Sequence, residues 1–183
     1  MTQRAIDGDF VYFVTVNVKN RRWYFVLPER AEKLGQAIQT CCRIKQFELL
    51  AYCILPNHVH LLVRKLRLDE APAHRTLGSV RCEKVATEKC FLYPHRRLPS
   101  RRSIEKRPTL SDLMHSIKST FSQTLRQGSF WQHRSNFRII ESDEYLRNGV
   151  EYIRYNYRKM ALPERYSQPP FVFLDERKVA ELF

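Results

Sequence analysis

The run Ile54-Leu55-Pro56-Asn57-His58-Val59-His60-Leu61-Leu62-Val63 organises the reading of this 183-residue chain. Proline fixes φ and asparagine tolerates tight bends, so Pro56-Asn57 reads as a turn. The residues after it are apolar and β-branched with a period of two, the pattern of a strand. Residues two apart on a strand face the same way. His58, His60 and Leu62 therefore share one side, and Val59, Leu61 and Val63 take the other. Two imidazoles on one face suit a single divalent cation. A pair of half-buried strand histidines held by hydrogen bonds is the other reading, and the motif alone does not separate the two.

Working outward, residues 47–55 read as a strand that Pro56-Asn57 joins to the histidine strand in an antiparallel hairpin. Residues 10–18 (Phe-Val-Tyr-Phe-Val-Thr-Val-Asn-Val) are apolar on both faces, as in an interior strand. Between them, Leu34, Ala37, Ile38, Cys41 and Ile44 recur at helical spacing, which predicts an amphipathic helix over residues 29–45.

Residues 64–108 differ in character. They carry 13 Lys/Arg against 5 Asp/Glu, with Pro72, Pro94, Pro99 and Pro108. They read as a long basic insertion with at most a short helix near residues 77–88, serving either as a surface loop or as a stripe that tracks phosphates. A second helix is expected over residues 109–125, where Leu110, Leu113, Met114, Ile117, Phe121 and Leu125 form the stripe and Thr109 with Asp112 resembles a capping box. Lys118 lies off that stripe, as a phosphate contact or as a solvated charge. Residues 130–132 and 137–140 are strand-like runs around His133-Arg134-Ser135-Asn136, a candidate hairpin or loop.

Ser142 is a good N-cap for a third helix, with Asp143 and Glu144 where the helix dipole favours them. Leu146, Val150, Ile153 and Tyr157 form its buried stripe, and Arg147, Glu151, Arg154 and Arg158 its wet one. Between them run Tyr145, Gly149, Tyr152 and Asn156. Gly149 weakens a helix, which suggests a close approach there. Tyr152 and Asn156, one turn apart, present a phenol and a carboxamide to the same place. Pro163 stops the helix, and residues 171–174 form an apolar segment expected to tuck back on the body.

The chain carries 32 Lys/Arg against 19 Asp/Glu, a net charge of +13. That excess makes nucleic acid the first candidate partner, with a merely soluble basic protein as the alternative. No stretch is long and apolar enough for a membrane span, and the start does not read as a signal peptide. The five cysteines have no C-x-x-C spacing and read as reduced thiols, mostly core fillers. A cytoplasmic protein is expected.

Pro-Asn-His-Val-His-Leu-Leu-Val at residues 56–63, followed far downstream by Tyr-Ile-Arg-Tyr-Asn-Tyr-Arg-Lys at residues 152–159, resembles the single-tyrosine HUH transposases of the IS200-like kind. Within them it is most similar to the REP-associated tyrosine transposases. The resemblance implies an α+β fold, a ferredoxin-like antiparallel sheet backed by helices. It places residues 1–162 in one domain, with the basic insertion at 64–108 inside it and 163–183 as a tail. Carried over by position, His58 and His60 match the metal pair, Tyr152 the nucleophile and Asn156 a third ligand. The family helix usually reads Asn-Pro where this chain has Asn156-Tyr157, which leaves the helix free to continue. Tyr155 is a rival nucleophile about 300° round the helix from Tyr152, and Tyr145 is two turns away.

The implied activity is metal-dependent cleavage and rejoining of single-stranded DNA through a 5′-phosphotyrosine, with Mg²⁺ or Mn²⁺, near hairpins of repetitive elements. Arg21, Arg22, Arg134 and Arg138 are candidate phosphate contacts, with Lys118. Tyr12, Trp23 and Trp131 are candidate stacking platforms, although such aromatics are more often core. The alternatives are a non-catalytic hairpin-binding module and an unrelated hydrolase, which needs a carboxylate or a third histidine beside the pair. Whether the chain works as a monomer or a homodimer is not read from the sequence.

Overall fold

The computed structural model of the chain describes residues 10–66, 108–126 and 130–183. The basic insertion lies, except at its ends, outside the described residues, as do the short helix read near 77–88 and Gly128.

The first strand, β1 (Val11–Asn17), leads through a 3-10 turn (Lys19–Arg21) to helix α1 (Pro28–Ile44), then β2 (Phe47–Leu55) and β3 (His58–Lys65). Helix α2 (Leu110–Leu125), strand β4 (Asn136–Ile140) and helix α3 (Asp143–Lys159) follow, with β5 (Val172–Leu174) and α4 (Glu176–Ala180) at the end. Local chemistry sets the helix starts. Pro28 opens α1, where a missing N–H is harmless. Thr109 and Asp112 close a capping box on α2, the Thr109 amide donating to Asp112 Oδ2 at 2.8 Å and the Asp112 amide to Thr109 Oγ1 at 3.2 Å. Ser142 Oγ accepts from the Tyr145 amide at 3.2 Å and caps α3.

The sheet runs β4-β1-β3-β2-β5, and every neighbouring pair is antiparallel. Its first four strands with α1 and α2 make the split β-α-β-β-α-β unit of a ferredoxin-like fold. The α+β expectation holds. Helices α1 and α2 cover one face, where Val14, Val16, Val59, Leu61 and Val63 meet Leu34, Ile38, Leu113 and Phe121. Helix α3 covers the other, where Leu146 and Ile153 join Val11, Cys53, Leu55 and Leu62. A closely approached glycine does occur, but in α1: a Cβ on Gly35 would lie 2.5 Å from Tyr52 Oη.

Two local expectations change. Residues 130–132 and 137–140 do not pair with each other. Trp131 bridges Val18, and β4 pairs with β1. The outer edge of β1 offers a row of backbone groups that need partners, and both runs satisfy them. The tail does more than tuck back: Val172, Phe173 and Leu174 pair with Cys53, Tyr52 and Ala51 and extend the sheet past β2.

Candidate active site

The turn before β3 is tied down by the chain that leaves β1. The Pro56 carbonyl accepts from the Tyr24 and Phe25 amides at 2.7 and 2.9 Å, and the Asn57 carbonyl from the Val18 amide at 2.9 Å. Strand β3 then places His60 opposite Thr15 on one side and Cys53 on the other. His58 and His60 share a face, as period two requires, with ring centres 4.8 Å apart.

Each ring is held at Nδ1. His58 Nδ1 lies 2.6 Å from Asn57 Oδ1, and His60 Nδ1 lies 2.9 Å from Thr15 Oγ1. An amide oxygen only accepts, so His58 donates from Nδ1 and keeps its lone pair on Nε2. His60 Nε2 is buried with no hydrogen-bond partner among the described residues. Burial, with the Arg21 charge adding to it, lowers His58 to about 4. Burial, with His58 nearby, lowers His60 to about 3. Both imidazoles are thus neutral at pH 7, the form that binds metals.

Helix α3 delivers the phenol. The Tyr152 ring stands edge-on to His60 with centres 5.1 Å apart, and Phe13 braces it at 5.7 Å. Lys159 Nζ lies 4.5 Å from the centre of the same ring. One turn on, Asn156 is buried, and its Nδ2 donates to Cys53 Sγ at 4.0 Å. Cys53 is the register partner of His60, so the carboxamide reaches the sheet beside the histidine pair. The helix continues through Tyr157 to Lys159, as the missing proline allows.

Gly149 is not a forced approach. A Cβ there would lie 3.5 Å from Phe13 Cδ2, an ordinary contact; the glycine instead lines a cavity of about 820 Å³. That cavity is walled by His58, His60 and Tyr152 with Thr15, Arg21, Asn136, Arg138 and Tyr145. Tyr145 and Tyr155 are exposed, and a guanidinium, that of Arg158, lies over the Tyr155 ring at 4.9 Å.

The remaining candidates scatter. Arg22 and Arg134 are exposed and do not line this cavity. Lys118 donates to the Gln132 and His133 carbonyls at 2.9 and 3.1 Å, so it fastens a loop to α2. Trp131 is buried among Phe25, Phe121 and Phe130, and Tyr12 packs against Phe10 and Phe137 on the face away from the histidines. Trp23 is 64% exposed and remains available for stacking.

Asn57, Thr15 and Lys159 belong to the site, although the sequence reading gave them no role there. Asn57 had a signal, being next in chain to the ring it holds. Thr15 and Lys159 had none before strand register and helix placement were known. Among the described residues, no group of three or more His, Cys, Asp or Glu forms a metal cluster. What the described residues bring together is two imidazoles with a carboxamide beside them. The hydrolase reading required Tyr152 to lie far from the histidine pair, and its ring stands 5.1 Å from that of His60.

The profile of the family described as "Transposase IS200 like" matches residues 9–68, the segment that holds β1 to β3 and both histidines. A curated protein of Haemophilus influenzae, bearing the name of a REP-associated tyrosine transposase, is 26% identical over 174 residues, 94% of this chain and 84% of that protein. Over most of its length the chain is similar to a REP-associated tyrosine transposase. A solved structure of a REP-associated tyrosine transposase bound to a REP hairpin superposes with a TM-score of 0.62 at 23% identity, over 93% of this chain and 79% of that one. What this second transposase shares at that identity is the fold, so the ferredoxin-like architecture stands on two footings. Among the described residues, no helix is long and apolar enough to cross a membrane.

Proposed function

We propose that the chain cuts and rejoins single-stranded DNA beside a hairpin, through a covalent 5′-phosphotyrosine on Tyr152. The observation that carries this reading is the edge-on contact of Tyr152 with His60, whose Nε2 is buried without a partner among the described residues. A buried polar atom left unpaired costs on the order of 1–3 kcal/mol, and a ligand at that atom removes the cost. Two neutral imidazoles held at Nδ1 fit a divalent cation at Nε2, with Asn156 Oδ1 as third ligand. Bound there, Mg²⁺ or Mn²⁺ polarises the scissile phosphate and favours the ionised form of a nearby phenol.

The chain's own residues supply the rest. Tyr152 Oη attacks phosphorus, the bond to the 3′ oxygen breaks, and that oxygen leaves as a hydroxyl. A 3′-hydroxyl attacking the phosphotyrosine reverses the step, and because the phosphoester is conserved no nucleotide triphosphate is consumed. Thr15 and Asn57 fix the ring orientations, the second layer of contacts that metal-binding histidines require. Arg21 and Arg138 line the cavity and neutralise backbone phosphates. The net charge of +13 and the relative solved on a REP hairpin support a structured DNA partner.

The test is incubation with short single-stranded oligonucleotides, with and without flanking hairpins. A denaturant-resistant protein–DNA species is expected with Mg²⁺, and none with a chelator or with Tyr152→Phe. An adduct that persists in Tyr152→Phe removes the nucleophile assignment. Binding without any adduct under every divalent cation makes the chain a binding module.

A further inference from the structure

We infer that a second cavity, across the Lys19–Arg21 turn from the histidines, is a phosphate subsite for the backbone of the DNA that the first cavity cuts; this rests on the reading above. The cavity, about 720 Å³, lies between the turn, α2 and residues 130–133. Lys19, His115, Ser119, Ser122 and His133 line it, and among the described residues the lining contains no carboxylate. Lys118 also lines it, and its two hydrogen-bond acceptors are carbonyls, which leave its charge in place. Such a surface favours an anion with several acceptor oxygens.

A second observation points the same way. Two buried side-chain polar atoms lack a partner among the described residues, His60 Nε2 and Trp131 Nε1. His60 lines the first cavity and Trp131 the second. The indole N–H only donates, so its missing partner is an acceptor.

The turn links the two cavities. Asn20 and Arg21 adopt left-handed φ of 59° and 51°, which is strained for a residue as bulky as arginine. That backbone sends Arg21 to the first cavity and Lys19 to the second. Two residues of chain span at most about 7 Å. A strand crossing the turn therefore meets the second cavity within a few linkages of the scissile one. The shared chemistry is a phosphodiester, from either the unpaired flank or the hairpin stem.

The experiment measures binding by fluorescence anisotropy in a Tyr152→Phe background, which prevents cleavage. Hairpin oligonucleotides carry one neutral methylphosphonate linkage at a time. One non-scissile linkage is expected to weaken binding severalfold, and to lose that effect when Lys19→Gln is added. The slope of log affinity against log salt should fall by roughly 0.7 with Lys19→Gln, the value of one single-strand phosphate contact. Trp131→Phe, which keeps the ring and removes the donor, should weaken binding several-fold with the slope unmoved. A coupled linkage in the flank identifies the unpaired strand as the occupant, and one in the stem identifies the duplex. If no linkage couples to Lys19 and the slope is unchanged, the subsite does not exist. Because the readout is binding, a wild-type chain that forms no adduct would sink the strand-transfer reading and leave this result to stand or fall separately.

Discussion

The two faces of the sheet are made from alternate residues of the same strands, yet they are packed to different ends. Toward α1 and α2, valines and leucines of β1 and β3 meet apolar helix stripes, and the polar atoms the strands add are the hydroxyls of Tyr12 and Tyr52. Toward α3, the same strands bury Asn17 and His60, and the helix adds Asn156. Buried polar side chains are costly unless paired. All three lie on one face, and two of them, Asn17 and His60, line its cavity, a polar concentration that fits a ligand-binding face more than a stabilising one.

That contrast can be broken in order of expected effect. Tyr152→Phe should reduce adduct formation by at least on the order of a thousandfold with DNA affinity unchanged, read on denaturing gels beside anisotropy. Leu61→Ala, on the stability face, should cost about 2–5 kcal/mol in urea unfolding. Adduct yield per folded molecule should not change; a loss there would mean that the faces are not separable. Thr15→Val should leave the fold intact and weaken metal dependence about 10–100-fold, seen as a shift of the Mg²⁺ titration of cleavage.

A smaller effect concerns pH. His58 and His60 are held at about 4 and about 3 in the folded chain, below the usual value near 6.5 of the unfolded one. Between these limits the unfolded chain binds more protons, so their contribution to stability is complete above about pH 6.5 and is lost as pH falls toward 3. The melting temperature should drop across that range, and His60→Leu, which also abolishes adduct formation, should flatten the drop. A His60→Leu curve parallel to wild type would show that the ring is not kept neutral by burial. Lys159→Met should be smallest, a few-fold loss of adduct rate with metal affinity unmoved.

Much of this was legible locally. Period two in residues 58–63 put both histidines on one side, and the spacing of Tyr152 and Asn156 put phenol and carboxamide on one helix face, because each pattern depends only on backbone geometry. The same locality gave β1, α1, β2, α2 and α3. Partner choice was not local. The placement of residues 130–132 and 137–140 along β1, the pairing of β5 with β2, and the Thr15 contact to His60 depend on which edges lie free once the sheet assembles. Lys118 and Trp131 show the limit most plainly: nothing beside them in sequence tells a carbonyl clamp from a phosphate contact, or a core indole from a stacking platform.

The chain by itself determined the parts of the site, two imidazoles on a strand and a phenol with an amide on a helix, since side-chain direction follows from secondary structure. Only the tertiary structure decided that these parts meet. Sheet order and the packing of α3 bring together residues more than ninety positions apart, and that contact depends on the whole apolar core rather than on any segment of it.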